Sequence, residues 1–190
     1  MFADLPQLVP QKICLSCQGC GRFKDARSVW RPKVAPGALR SRSVLNIRIA
    51  SDERYPWRFP GSHVARGKLS RGDYALMDGE EMLAVVERKT FENLLADFGV
   101  MPVLHQRLLD LAAMEHSALV IEAPFEDFLN ASKVHHYSPA FCAAAIADLY
   151  AAHPRLRIVF CTNRKTANLW TAYYFAAVSH REESKDVNHP

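Results

Sequence analysis

Asp73, Glu87 and Lys89 are the residues of this chain whose types and spacing most directly suggest chemistry. Gly72-Asp73-Tyr74 is followed, fourteen residues after its acid, by Glu87-Arg88-Lys89. Between them, Tyr74 to Met77 is short and apolar, Asp78-Gly79 is a common hairpin-turn dipeptide, and Met82 to Val86 is an apolar, partly β-branched run. This pattern predicts two antiparallel strands, with Asp73 at the start of one facing Glu87 at the end of the next. Side chains alternate along a strand, so Glu87 and Lys89 share one face and Arg88 takes the other. Two carboxylates and an ammonium on one face can hold a divalent cation between the acids. The Lys can then lower the pKa of an attacking water or steady a phosphorane oxygen. The same residue types also occur as a turn acid and as solvated charges at a strand end. What distinguishes them here is that Glu87-Arg88-Lys89 ends an apolar strand that flanking helices would cover on both faces, where charges need a reason.

The elements that must position these groups are legible on either side. Upstream, Val44 to Ile49 reads as a strand running into Asp52-Glu53-Arg54, and His63 to Leu69 as another. Gly72 lets the backbone turn sharply before Asp73. Downstream, Thr90 is a good N-cap for a helix in which Phe91, Leu94, Leu95 and Phe98 recur at helical spacing until Gly99. A second helix is expected over Pro102 to Glu115 and a buried strand over Ala118 to Ile121, with Glu122 a strand-end charge facing water. An Ala-rich helix over Pro139 to Ala152, a strand over Arg157 to Cys161 and a last helix reaching about Val178 complete the order. Strands alternating with helices in this way predict an α/β sandwich around a mixed sheet.

Asp52-x-Arg54, Gly72-Asp73-Tyr74 and Glu87-Arg88-Lys89, in that order and spacing, resemble the three signature blocks of the XPF-type (excision-repair cross-complementing group 4) nuclease domain, within the PD-(D/E)XK superfamily. The resemblance covers residues 43–178. It implies a restriction-endonuclease-like α/β fold, a mixed central sheet flanked by helices, that uses Mg or Mn to cut DNA near junctions, flaps or strand-separation points. It further implies that Asp73 and Glu87 are metal ligands, that Lys89 is the catalytic lysine, and that Asp52 is a further active-site acid and ligand. Arg54 and Arg88 would lie near the scissile phosphate. Two departures stand out. Tyr55 occupies a position where the family often has Glu, which opens a shifted alignment with Glu53 as the working acid. Asn93 replaces an acid often found a few residues after the Lys. Both departures favour a second reading, a catalytically weak or inactive DNA-binding or scaffold subunit of a nuclease or repair complex. The resemblance also implies a homodimer or heterodimer formed through the C-terminal helices, and the aromatic surface of Leu169, Trp170, Tyr173, Tyr174 and Phe175 is compatible with it.

Composition agrees with a globular DNA-binding protein. The chain has 190 residues, 49% hydrophobic and 23% charged, and a formal net charge of +4, which permits a nucleic-acid partner without requiring one. No apolar run approaches a membrane span and no secretion signal is evident, so a cytoplasmic protein with no membrane association is expected. Residues 1–42 read as an N-terminal arm and residues 179–190 as a charged, frayed tail. In the arm, Cys14, Cys17 and Cys20 suit zinc or an iron-sulfur cluster, but a fourth nearby ligand is missing, which favours reduced thiols over a bound metal. A metal-bound cysteine knuckle would make the chain a nucleic-acid adaptor. Around Trp30 the arm is rich in Arg and Lys, a mixture suited either to a nucleic-acid backbone or to solvent. The Tyr55 to Gly61 loop places Trp57 and Arg58 next to Asp52. There they could reach DNA, with Trp57 wedging against an unpaired base, or Trp57 and Phe59 could pack on the sheet. The paired His135 and His136 lie in a polar loop expected to face substrate or a second subunit.

Overall fold

The computed structural model describes residues 44–186. The arm, with Cys14, Cys17 and Cys20, lies outside the described residues. Six strands form one sheet in the order β2-β1-β3-β4-β5-β6: β1 (Asn46–Ala50), β2 (His63–Gly67), β3 (Tyr74–Asp78), β4 (Glu81–Lys89), β5 (Ser117–Ile121) and β6 (Arg157–Phe160). The pairings β1–β3 and β3–β4 are antiparallel, and β1–β2, β4–β5 and β5–β6 are parallel, so the sheet is mixed as expected. Among the described residues there are five helices: α1 (Phe91–Phe98), α2 (Met101–Ala112), α3 (Phe125–Phe128), α4 (Pro139–Ala152) and α5 (Arg164–Asp186).

Thr90 caps α1 by accepting from the Asn93 backbone N–H, and Ser138 caps α4 in the same way from Phe141. Leu94 and Phe98 of α1, Leu104, Leu108 and Leu111 of α2, and Cys142, Ile146 and Leu149 of α4 then bury one face of the sheet with Val85, Leu119 and Ile121. The opposite face packs Ile47, Ile49, Tyr74, Val86 and Val120 under Phe175 and Val178 of α5. β1 and β2 are parallel neighbours, a connection usually made by a helix. Here an irregular loop crosses instead and supplies the missing cover, with Trp57 and Phe59 buried to 3% and 6% exposure. Trp57 stacks on Tyr74 with ring centroids 4.5 Å apart.

Two elements differ from expectation. The single-turn α3 had no signal in the sequence. The last helix also does not stop near Val178 but runs for 23 residues to Asp186, so residues 179–186 of the tail expected to fray continue as helix. Charged pairs explain the extension. Lys185 Nζ lies 2.8 Å from Glu182, and Glu182 reaches back to His116 at 3.4 Å.

A histidine pair joins α2 to the end of α4. His105 Nδ1 is 2.9 Å from His153 Nε2, and His105 Nε2 is 2.9 Å from Asp148. Asp148 accepts a hydrogen bond from the His105 Nε2–H, so His105 Nδ1 accepts in turn from the Nε2–H of His153. His153 Nδ1 is then a buried lone pair, and among the described residues it has no partner. Protonating it would bury an unpaired N–H beside a second imidazole. Burial and the neighbouring His105 accordingly hold the His153 pKa below its ordinary value, with Asp148 partly offsetting them. A pKa lowered on folding gives stability that is present above the unfolded value of 6.5 and lost as pH falls below it. Melting temperature is therefore expected to drop between pH 7 and pH 5 by more in the native protein than in His153→Phe. Equal drops would remove the histidine pair as the cause.

Candidate active site

Gly72, at φ 67°, aims the chain into β3. Any side chain there would clash, since a Cβ would lie 2.5 Å from Val85 Cγ2 and 3.0 Å from the Val86 carbonyl oxygen. The close approach registers Tyr74 against Val86, so Asp73 and Glu87 come next and face each other. Ala75 and Val85 lie on the face covered by α1, and alternation puts Asp73 and Glu87 on that face too. The Asp73 carboxylate also accepts the Arg88 backbone N–H at 2.7 Å.

Lys89 lies on the same face, 8% exposed. Its ammonium is 3.2 Å from Glu87 Oε1 and 2.9 Å from Asp97 Oδ2. Burial pushes its pKa down, but Glu87 and Asp97 more than offset this and leave it raised. Lys89 is thus a fixed cation at neutral pH, able to donate to a phosphoryl oxygen and unable to serve as a base. Asn93, where a family acid was expected, is exposed. Asp97, one helical turn further along α1, supplies the charge. The sequence signal for it was the spacing of four residues from Asn93 on a capped helix.

Arg88 turns to the opposite face, into a buried set of ion pairs. Its Nε and Nη2 bond Glu122 at 2.8 and 3.0 Å, and Nη1 bonds Glu53 at 3.1 Å and the Tyr55 carbonyl at 3.3 Å. Trp57 Nε1 donates to the same Glu122 at 2.7 Å, and Arg164 Nη1 lies 3.6 Å from it. Glu122 was expected to face water; its side chain is instead 8% exposed because it anchors three donors.

The structure therefore brings Asp73, Glu87 and Lys89 together on one face, with the Arg88 backbone N–H on Asp73 and its guanidinium on the other face, and does not bring in the rest of the predicted set. Asp52 is exposed in the turn after β1, whereas Glu53 points inward to Arg88 and is one of the charges that raise the Asp73 pKa. Arg54 is exposed and, among the described residues, makes no ion pair. Arg58 is exposed, its backbone N–H directed to Asn168. Trp57, expected either to reach DNA or to pack on the sheet, packs: it is held between Tyr74 and Glu122.

Burial and, after it, Glu87 and Glu53 push the Asp73 carboxyl up to about 7, despite the Arg88 N–H and Lys89. An acid held in this way is one that a bound cation would favour. Among the described residues no group of three or more His, Cys, Asp or Glu side chains forms a metal cluster. Two facing carboxylates nevertheless suit Mg, which commonly takes one or two acids and completes its shell with water and substrate phosphate. The donor set fits Mg or Mn at Asp73 and Glu87.

No family model matches the chain, and no curated sequence aligns with it. Similar solved structures include XPF from Aeropyrum pernix, at 20% identity and a TM-score of 0.51, over 72% of this chain and 61% of that one. The same protein in complex with DNA matches at 18% identity and a TM-score of 0.51, over 74% of this chain and 66% of that one. This chain thus spans less than two thirds of the length of those relatives. At such identity the likeness speaks to architecture, and it agrees with the sheet order and helices described above: the chain has the α/β fold of the XPF nuclease.

Proposed function

We propose that this protein is a metal-dependent DNA endonuclease that hydrolyses phosphodiester bonds in branched, flapped or otherwise structured DNA. The observation that supports this most strongly is the convergence of Asp73 and Glu87 on one sheet face with the Lys89 ammonium. Bound Mg or Mn would polarise the phosphodiester and acidify a nearby water. Asp73 and Glu87 orient that centre. Lys89, pinned by Glu87 and Asp97, donates to the phosphoryl oxygen where negative charge grows. In-line attack forms a new P–O bond from water, while the bond to the 3′ oxygen breaks and that oxygen leaves as a hydroxyl. Leu169 and Tyr173 on α5, both more than half exposed, offer apolar surface for a second subunit.

Incubation with flapped, branched and plain duplex DNA plus Mg or Mn tests the reading. Wild type is expected to cut, and Glu87→Gln and Lys89→Met to be slower by at least about 100-fold, as for loss of one charge-stabilising group. No cleavage by wild type, or equal cleavage by Glu87→Gln, would remove the enzyme. The second reading, a non-catalytic DNA-binding subunit, is favoured by exposed Asn93 and Tyr55. It predicts DNA binding without cleavage and no Mg binding that Glu87→Gln abolishes by calorimetry.

A further inference from the structure

A cleft of about 970 Å³ opens at the C-terminal ends of β4 and β5 and has no role in the chemistry derived above. It begins at Thr90, immediately after Lys89, and at Glu122, whose backbone N–H bonds the Lys89 carbonyl at 2.8 Å. From there it runs between α1 and the 129–138 loop to Asn163 and Arg164 at the start of α5. Its volume matches a site for a small organic group. Two half-buried rings line it, each braced from behind. Phe91 packs on the buried Phe128 at 4.7 Å, and Tyr137 stacks on Phe141 at 5.0 Å. The rim carries Lys133, His135, His136 and Arg164.

Charge narrows the ligand. Glu92, Asp127 and Glu122 also line the cleft, with Asp127 paired to Lys133 at 2.6 Å and Glu122 to Arg88. Three acids stand against the two permanent cations Lys133 and Arg164, so the lining is slightly acidic, which disfavours a bare polyanion and favours a flat, polar-edged ring. Cations at the rim suit a phosphodiester leaving that ring. Loop geometry points the same way: His135, exposed at φ 31°, is the non-glycine residue with positive φ among the described residues. Such conformations persist where surrounding structure enforces them, often at ligand sites.

We propose that this cleft takes an unpaired nucleotide next to the phosphate held at Asp73 and Glu87, with the base against Phe91 and Tyr137 and the flanking phosphates along Lys133, His136 and Arg164. The location relative to the scissile phosphate rests on the nuclease reading; the affinity for single strands does not. Unpaired nucleotides can enter the cleft, whereas bases stacked in a duplex would first have to be extruded. The site therefore gives a physical basis for preferring DNA with a single-stranded branch.

Anisotropy of a fluorescein-labelled oligothymidine of about ten nucleotides, in EDTA, tests the cleft without cleavage. Tyr137→Leu is expected to weaken oligothymidine binding about tenfold, the size of one lost base–aromatic stack, and to leave a blunt duplex within about twofold. His136→Ala alters only an exposed side chain and is expected to weaken the single strand by a smaller factor, so the test survives if Tyr137→Leu misfolds. Unchanged oligothymidine affinity in both variants overturns the proposal, as does an equal loss for duplex and single strand. A wild type that shows this pattern yet cuts no DNA supports the cleft and removes the nuclease. A wild type that cuts, with variants of unaltered single-strand affinity, removes the cleft alone.

Discussion

Asp73→Asn is expected to melt about 5 °C above the native protein at pH 8 in EDTA while losing Mg-dependent cleavage. The sign follows from the carboxyl. Burial, then Glu87 and Glu53, raise its pKa from 3.8 in an unfolded chain to about 7 in the folded one. Below 3.8 both states are protonated and the group contributes no difference. Between 3.8 and 7 the unfolded chain releases a proton that the folded chain retains, so stability falls as pH rises and levels off above 7. Asn is never ionised and still accepts the Arg88 N–H through its Oδ1, so it avoids that loss. Melting the two proteins at pH 5 and pH 8 checks this. The gap should be wider at pH 8, and Mg should narrow it by stabilising only the native protein. A gap independent of pH, or Mg stabilisation of Asp73→Asn equal to that of the native protein, would remove Asp73 as a strained ligand. The residue costs the fold stability, as groups poised for a ligand often do.

Why part of this site was legible and part was not has a physical origin. The hairpin was visible because Asp78-Gly79 and the apolar runs on either side are local signals, and strand alternation then places Glu87 and Lys89 without tertiary information. Thr90 and Gly99 were equally local, and α1 begins and ends beside them. Glu122 was misjudged because its environment is made by residues distant in the chain. Arg88, Trp57 and Arg164 converge on it across sequence separations that no periodicity records. For Trp57 the sequence left two outcomes open for the same reason: a Pro- and Gly-rich loop marks an irregular connection, but not that its aromatics replace a crossover helix. The extension of α5 past Val178 depends on His116, a residue of the loop before β5, holding Glu182.

Arg88→Met is expected to lower the melting temperature by roughly 10 °C, the scale of about 3–5 kcal/mol for breaking a buried ion pair from one side. The guanidinium is 12% exposed and its partners Glu53 and Glu122 are 11% and 8% exposed, so little water can take its place. Removing it strands two carboxylates inside the protein. The damage should therefore be repaired from the acid side. Glu122→Gln added to Arg88→Met is expected to recover part of the loss, and Glu53→Gln most of the remainder, while either change in the native background destabilises. Such a sign reversal marks coupling, because independent sites would add. The same series separates two roles for Arg88. The resemblance places it near the scissile phosphate, but here it faces away from Glu87 and Lys89 and braces the loop that carries Trp57. A repaired triple variant that melts normally and regains cleavage assigns Arg88 to bracing. One that melts normally but stays more than about 100-fold slow assigns it to the phosphate, since that is the scale of a lost charge-stabilising contact.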